Sequence, residues 1–370
     1  MQTGLVDRIL ELAVNIQQIP APTFFEKQRA EYIRSCFQAE GLGDVWLDSV
    51  GNVYARLDGE AKRLPVIVSA HLDTVFPAKM KMDVIKEKNR IIGAGIGDNA
   101  LGVAGLLGLV WALKQRRTNL CGDLWLVANV GEEGLGDLSG MQAVVDRFGS
   151  QVSAYLVLEG MALGHVYHQG LEVNRYRIGV VTPGGHSWVN QGSPSAIHEL
   201  AKLVTHLTNL PIPKQPRTTI NVGVINGGIS VNTIAPEAYL ELDLRSEDEE
   251  TLKNLSRQVI EVVEQVNSPD IQATATLIGN RPRGGIPADH PLVRLAIRCL
   301  EAQGIRPQLN IGSTDANIPL NRGLPAICIG LTTGRGAHTM GESIEISPLG
   351  KGLNQLVELV EGVYQLGGNQ

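Results

Sequence analysis

Apolar positions along this chain come in two textures. In the outer parts they form unbroken runs: VIVSA from Val66, then Leu124–Val130, Ala154–Leu158 and Ala326–Leu331. Runs of this length suit strands buried on both faces of a sheet. Between and after them lie helical stretches, the strongly apolar Ala100–Gln115, then Met141–Phe148 and a closing Leu349–Leu366. Strands alternating with helices in this way predict a doubly wound, largely parallel α/β sheet. Shorter elements fill the approach to the first run. The N-terminus predicts a helix with one apolar face, and Thr23 with Glu26 reads as a T-x-x-E capping box for a helix to about Glu40, ended by Gly41 and Gly43. Asp44–Leu47 and Asn52–Leu57 predict a hairpin, and Met80–Ile92 a second short one.

The middle of the chain alternates instead. Arg175–Thr182 predicts a strand, Pro194–Leu210 a helix, Thr218–Ile225 and Ala238–Arg245 two strands, Glu249–Val266 a helix and Ile271–Ile278 a last strand. The order β-α-β-β-α-β is ferredoxin-like. It predicts a second domain over 173–282 inserted into a first domain made of 1–172 and 283–370.

Composition narrows the function classes. With 43% apolar and 19% charged residues in 370, the chain reads as an ordinary globular protein with room for two cores. A net charge of −6 without a basic run argues against nucleic acid or an anionic membrane surface as partner. Asp7, Arg8 and Glu11 interrupt the first helix, which does not read as a secretion signal, and no segment reads as a bilayer span. The four scattered cysteines, Cys36, Cys121, Cys299 and Cys328, fit a reducing cytoplasm.

The candidate chemistry sits where the apolar runs stop. They end at His71 and Asp73, at Glu132 and Glu133, at Glu159, and near His338, while Asp98 opens the long apolar helix. One such ending is only a solvated strand end. Several converging on the carboxyl edge of one sheet make a site. Two imidazoles and three carboxylates suit a pair of ions such as Zn²⁺, with Co²⁺ or Mn²⁺ as alternatives. Two-metal sites of this kind serve hydrolysis. The loop GAGIG superficially suggests a dinucleotide fingerprint, but its spacing is G-x-G-x-G and the helix opens with an aspartate that would repel a pyrophosphate.

The motifs SAHLDTV, GIGDNALG, GEEG, LEG and GAHTMGES, in that order, resemble those of the co-catalytic di-zinc metallopeptidases and amidohydrolases that include glutamate carboxypeptidase, peptidase T, acetylornithine deacetylase and aminoacylase. The resemblance spans essentially the whole chain and implies a set of roles. His71 and Glu159 would hold one metal, Glu133 and His338 the other, and Asp98 would bridge them. Asp73 would orient His71, and Glu132 would be the general base. A cis peptide bond is implied between Asp98 and Asn99. In the inserted domain, read as a lid and dimerisation domain, GGHS, SVNTIA and DLR present His186, Asn232 and Arg245. His186 would reach the active site of a partner subunit in a homodimer and stabilise the oxyanion, and Arg245 would grip a substrate carboxylate. Asp315, in GSTDAN, would either receive a substrate amino terminus or cap a helix. The activity implied is amide hydrolysis in a short peptide, as in peptidase T or a dipeptidase, or in an N-acyl amino acid. A non-catalytic scaffold would lack ligands or the base, and none is missing.

Overall fold

The computed structural model describes residues 2–366. The chain divides into two units, one built from Met1–Gly170 and Gly284–Gln370, the other from Leu171–Arg283.

The first unit is organised on a nine-stranded sheet. Its centre is four parallel strands in the order Leu124–Asn129, Val66–His71, Ala154–Glu159, Ala326–Gly330. Almost every residue in them is buried, which explains the absence of polar alternation in their sequence. The expected hairpin, Gly43–Leu47 with Val53–Leu57, adds antiparallel strands at one side. His165–Gly170 lies antiparallel to Ala326–Gly330 at the other and pairs as well with Gly284–Gly285, antiparallel, and with Gln308–Gly312, parallel. The α/β class therefore holds, with the parallel pairing concentrated where the site residues emerge.

Leu101–Arg116 is buried continuously from Leu101 to Leu113, as an all-round apolar helix must be. Helices Gln2–Gln17 and Leu349–Leu366 pack against it. The stretch Ile96–Arg116 is long and apolar enough to cross a bilayer, yet 94% of its most apolar window is buried inside this unit. Its hydropathy is that of a core helix.

A small antiparallel sheet has a positioning role. The hairpin Ile85–Lys86 and Arg90–Ile92 pairs through Arg90–Ile92 with Ser343–Glu345, which pairs in turn with Gly334–Arg335. It pins the loop carrying His338 to the segment leading into Asp98.

The second unit is a four-stranded antiparallel sheet ordered Thr218–Gly227, Glu237–Ser246, Glu172–Val181, Gln272–Arg281. Helices Ala196–Thr208 and Glu249–Glu264 pack on it around a separate apolar core. Burial alternates along Glu237–Ser246, the signature of a sheet covered on one face. Two added two-residue strands, Gly185–His186 and Thr233–Ile234, pair with each other and were not legible in the pattern.

Candidate metal centre

The parallel register brings the strand ends level. His71 lies opposite Asn129, and Gly330 opposite Glu159. After Asn129 the chain turns through Gly131, at a φ of 66°, where a Cβ would stand 2.4 Å from Ser139 Oγ. Only glycine fits that corner, and it aims Glu132 and Glu133 back over the sheet edge. Gly160 permits a second close approach, since a Cβ there would meet the Gly97 carbonyl at 2.2 Å. The LEG turn and the loop of Asp98 can thereby touch.

The five proposed ligands fall into two groups sharing Asp98. His71 Nε2 lies 3.1 Å from Asp98 Oδ1 and 3.8 Å from Glu159 Oε1. His338 Nε2 lies 3.1 Å from Asp98 Oδ2 and 2.9 Å from Glu133 Oε1. Within each group the donor atoms all lie within 4.8 Å of one another. One carboxylate thus turns one oxygen to each imidazole, and this nitrogen and oxygen donor set fits two divalent cations. The peptide bond between Asp98 and Asn99 is cis, as the resemblance implies.

Without ions, protons balance the charge. Burial disfavours the His71 imidazolium, but hydrogen bonds to Asp73, Asp98 and Glu159 raise its pKa well above the usual value. Hydrogen bonds to Asp98 and Glu133 push His338 up to about 10. Burial opposes ionisation of Asp98, yet the two imidazoles hold it well below the usual carboxylate range. Burial pushes Glu159 up to about 7. A cation bound by these imidazoles would displace such protons.

Asp73 does more than face His71. The His71 Nδ1 lies 3.1 Å from the Asp73 carbonyl and 3.5 Å from its Oδ1. The carboxylate also accepts the N–H groups of Glu132 and Glu133, each at 2.9 Å, and the Thr23 hydroxyl at 2.9 Å. Glu26 Oε1 accepts from the Gly131 N–H at 3.2 Å. Three successive amides of the GEEG turn are therefore held by two buried carboxylates. The capping box read from Thr23 and Glu26 does not form: helix Lys27–Ala39 has no side-chain cap, because both side chains are drawn across to this turn. Arg29, fully buried, donates to the carbonyls of Ile19 and Leu72, and burial brings its pKa down to about 10.

Glu342 was not singled out by the sequence reading, although GAHTMGES contains it. Its buried carboxylate accepts the N–H groups of Gly95, Gly97 and Asp98 at 3.0, 2.7 and 2.8 Å, and burial pushes it up to about 7. The amides that a phosphate would need are thus occupied, which disposes of the dinucleotide reading. Asn99 joins the same scaffold, donating to the Leu158 carbonyl at 2.8 Å and accepting from the Gly160 N–H at 3.0 Å. A polar side chain beside a glycine-rich turn with no local partner was the available signal for these residues.

Asp315 is buried and accepts from Asn129 Nδ2 at 2.7 Å; it caps no helix, since Ala316 heads Asn317–Asn321 without a side-chain cap. His186, Asn232 and Arg245 belong to the second unit. His186 and Asn232 are exposed, and the N–H groups of Trp188 and Val189 point at His186 Nδ1. Arg245 shares Asp243 with Arg175.

A family model described as peptidase dimerisation domain matches residues 173–271, and one described as peptidase family M28 matches 52–176. A peptidase M20 domain-containing protein of Schizosaccharomyces pombe is 29% identical over 69% of this chain, a match that spans 64% of that protein's own length. Succinyl-diaminopimelate desuccinylase of Corynebacterium glutamicum is 26% identical over 68% of this chain and 70% of its own. Among solved structures, the dipeptidase Dug1p of Saccharomyces cerevisiae superposes with a TM-score of 0.81 at 14% identity, covering 98% of both chains. These matches bear out the resemblance read from the motifs and the hydrolase class that went with it.

Proposed function

We propose that this hydrolase, akin to the M20 peptidases, is a metallopeptidase that uses two metal ions to cleave an amide bond in a short, carboxylate-bearing peptide. The observation that carries the proposal is Asp98, with one oxygen on each of two imidazole–carboxylate groups. Two Zn²⁺ ions, or Co²⁺ or Mn²⁺ in their place, would polarise the scissile carbonyl and acidify the attacking water.

The chain supplies the rest. His71 and Glu159 would hold one ion, Glu133 and His338 the other. Glu132, buried on a turn whose amides are fixed by Asp73 and Glu26, would take the proton from water and return it to the leaving nitrogen. His186 would come from a second subunit. With its Nδ1 accepting backbone N–H groups, its neutral ring carries the proton on Nε2, free to donate to an oxyanion. Arg245 would bind the substrate carboxylate through its guanidinium fork, and Asn232 would be a second substrate-binding residue. Asp315 would act through Asn129 and by raising Glu159 more than on a substrate amino group. A homodimer is supported by the dimerisation-domain match and by exposed Trp188, Val189, Ile229 and Val231. Cytoplasmic residence is supported by four free cysteines.

A second reading, deacylation of an N-acyl amino acid by an aminoacylase-like amidohydrolase, is favoured by the desuccinylase match. The test is a panel of di- and tripeptides beside acetylated and succinylated amino acids, run on protein stripped of metal and reloaded with Zn²⁺ or Co²⁺. Peptide cleavage restored by metal is expected. Cleavage of acyl amino acids alone would select the second reading, and no cleavage with about two ions bound per chain would leave a scaffold.

A further inference from the structure

Large apolar side chains are exposed beside the metal-ligand loops. Phe24 and Phe25 follow Thr23, whose hydroxyl donates to Asp73 and lies 3.5 Å from the Glu133 carbonyl. Val75 comes two residues after Asp73, Leu135 two after Glu133, and Met340 two after His338. All five are 37–72% exposed, although the residues they follow are drawn into the site. The loops of Phe24 and Val75 are tied where Pro22 bridges Thr74 and the Thr74 N–H donates to the Ala21 carbonyl at 3.0 Å. Those of Leu135 and Met340 meet where His338 Nε2 lies 2.9 Å from Glu133 Oε1. Phe24 has a φ of 75°, a conformation that non-glycine residues rarely adopt, so its ring is presented outward at some backbone cost.

Nothing in the ligand chemistry calls for these side chains. Hydrolysis needs donors and acceptors at the metals, and an exposed apolar rim is otherwise a liability to solubility. Substrate pockets, by contrast, are mostly apolar walls around a few placed polar groups. We propose that Phe24, Phe25, Val75, Leu135 and Met340 form an apolar collar that selects substrates with a bulky apolar side chain next to the scissile amide. The inference rests on the two-metal hydrolase reading and adds its substrate class: apolar peptides, and not acidic or glycine-only ones.

None of the five is among the proposed ligands or the base, so removal of the collar is read as a change of preference. The experiment compares kcat/KM of the Zn²⁺-loaded full chain on Gly-Leu, Leu-Gly, Phe-Gly, Gly-Gly, Gly-Asp and Asp-Gly, with N-acetyl-leucine and N-acetyl-aspartate as the acyl pair. The variant is Phe24→Asn, Phe25→Ser, Met340→Ser, with asparagine chosen because it tolerates positive φ. The wild type is expected to prefer the leucine and phenylalanine substrates by about tenfold or more, the discrimination an apolar wall supplies. The variant should lose that ratio chiefly through KM while retaining its metal content. A wild type that cleaves acidic or glycine substrates best overturns the collar and leaves the hydrolase reading standing. A variant that keeps the ratio also overturns it, including one that does so while passing from dimer to monomer, which would assign these side chains to a subunit contact. A wild type that binds metal and cleaves nothing overturns both readings.

Discussion

The two units carry their functional side chains in opposite ways. In the first, His71, Asp98, Glu133 and Glu159 stand on or beside buried strands, and neighbouring carboxylates fix the amides of Asp98 and Glu133. In the second, His186 lies on an exposed two-residue strand, Asn232 on an exposed turn, and Arg245 pairs with Asp243. Rigid placement suits donors that must meet cations to within a few tenths of an ångström. Exposed groups suit residues that complete a site on association or closure.

Substitutions can break this contrast. The largest effect is expected from Glu132→Gln, which should cut kcat by roughly 10³-fold or more with metal content unchanged, the range of a lost general base. Turnover near normal would remove Glu132 from its role. His186→Ala should lower kcat by about 10²–10³-fold, the cost of one oxyanion donor, with both ions retained. Mixing His186→Ala with Glu132→Gln subunits should restore part of the activity if the histidine is supplied across the dimer, and restoration of none would place it in its own subunit's chemistry. Glu342→Gln should leave the fold intact and weaken metal binding by about 10–100-fold in calorimetry, as loss of a residue that orients a ligand does. A fall in melting temperature without weaker binding would make Glu342 merely structural.

The smallest effect is graded with pH. His338 titrates near 10 in the ion-free site and must lose its proton to ligate, so metal affinity should rise about tenfold per pH unit for each proton displaced. The ion-free protein should move the other way. A raised folded pKa gives stabilisation that is complete below about 6.5 and is lost as pH climbs through about 10. Melting curves of stripped and loaded protein should therefore diverge with rising pH, and parallel curves would contradict the proton-for-cation exchange.

Much of this was legible because burial on both faces writes itself as Val and Ile runs, and a histidine or glutamate ending such a run is conspicuous. His71, Glu133 and Glu159 declared themselves in that way. Glu342 and Glu26 did not, since their partners lie 245 and 105 residues away and no local period marks them. Thr23 and Glu26 even satisfied a local rule, the capping box, that lost to the demand of buried amides for acceptors. The two-residue strands at His186 and Thr233 are too short to leave any period at all.

In the proposed reaction the clamped GEEG turn would also divide labour. Many hydrolases build an oxyanion hole from consecutive main-chain amides at a strand end. Here the amides of Gly131, Glu132 and Glu133 are already spent on Glu26 and Asp73. Those three amides are therefore not available to a transition state as backbone donors. In the proposed reaction, negative charge developing on the substrate oxygen would then be met by bound cations or by a side chain brought from elsewhere, so the scaffold's own rigidity would make the chemistry depend on visitors.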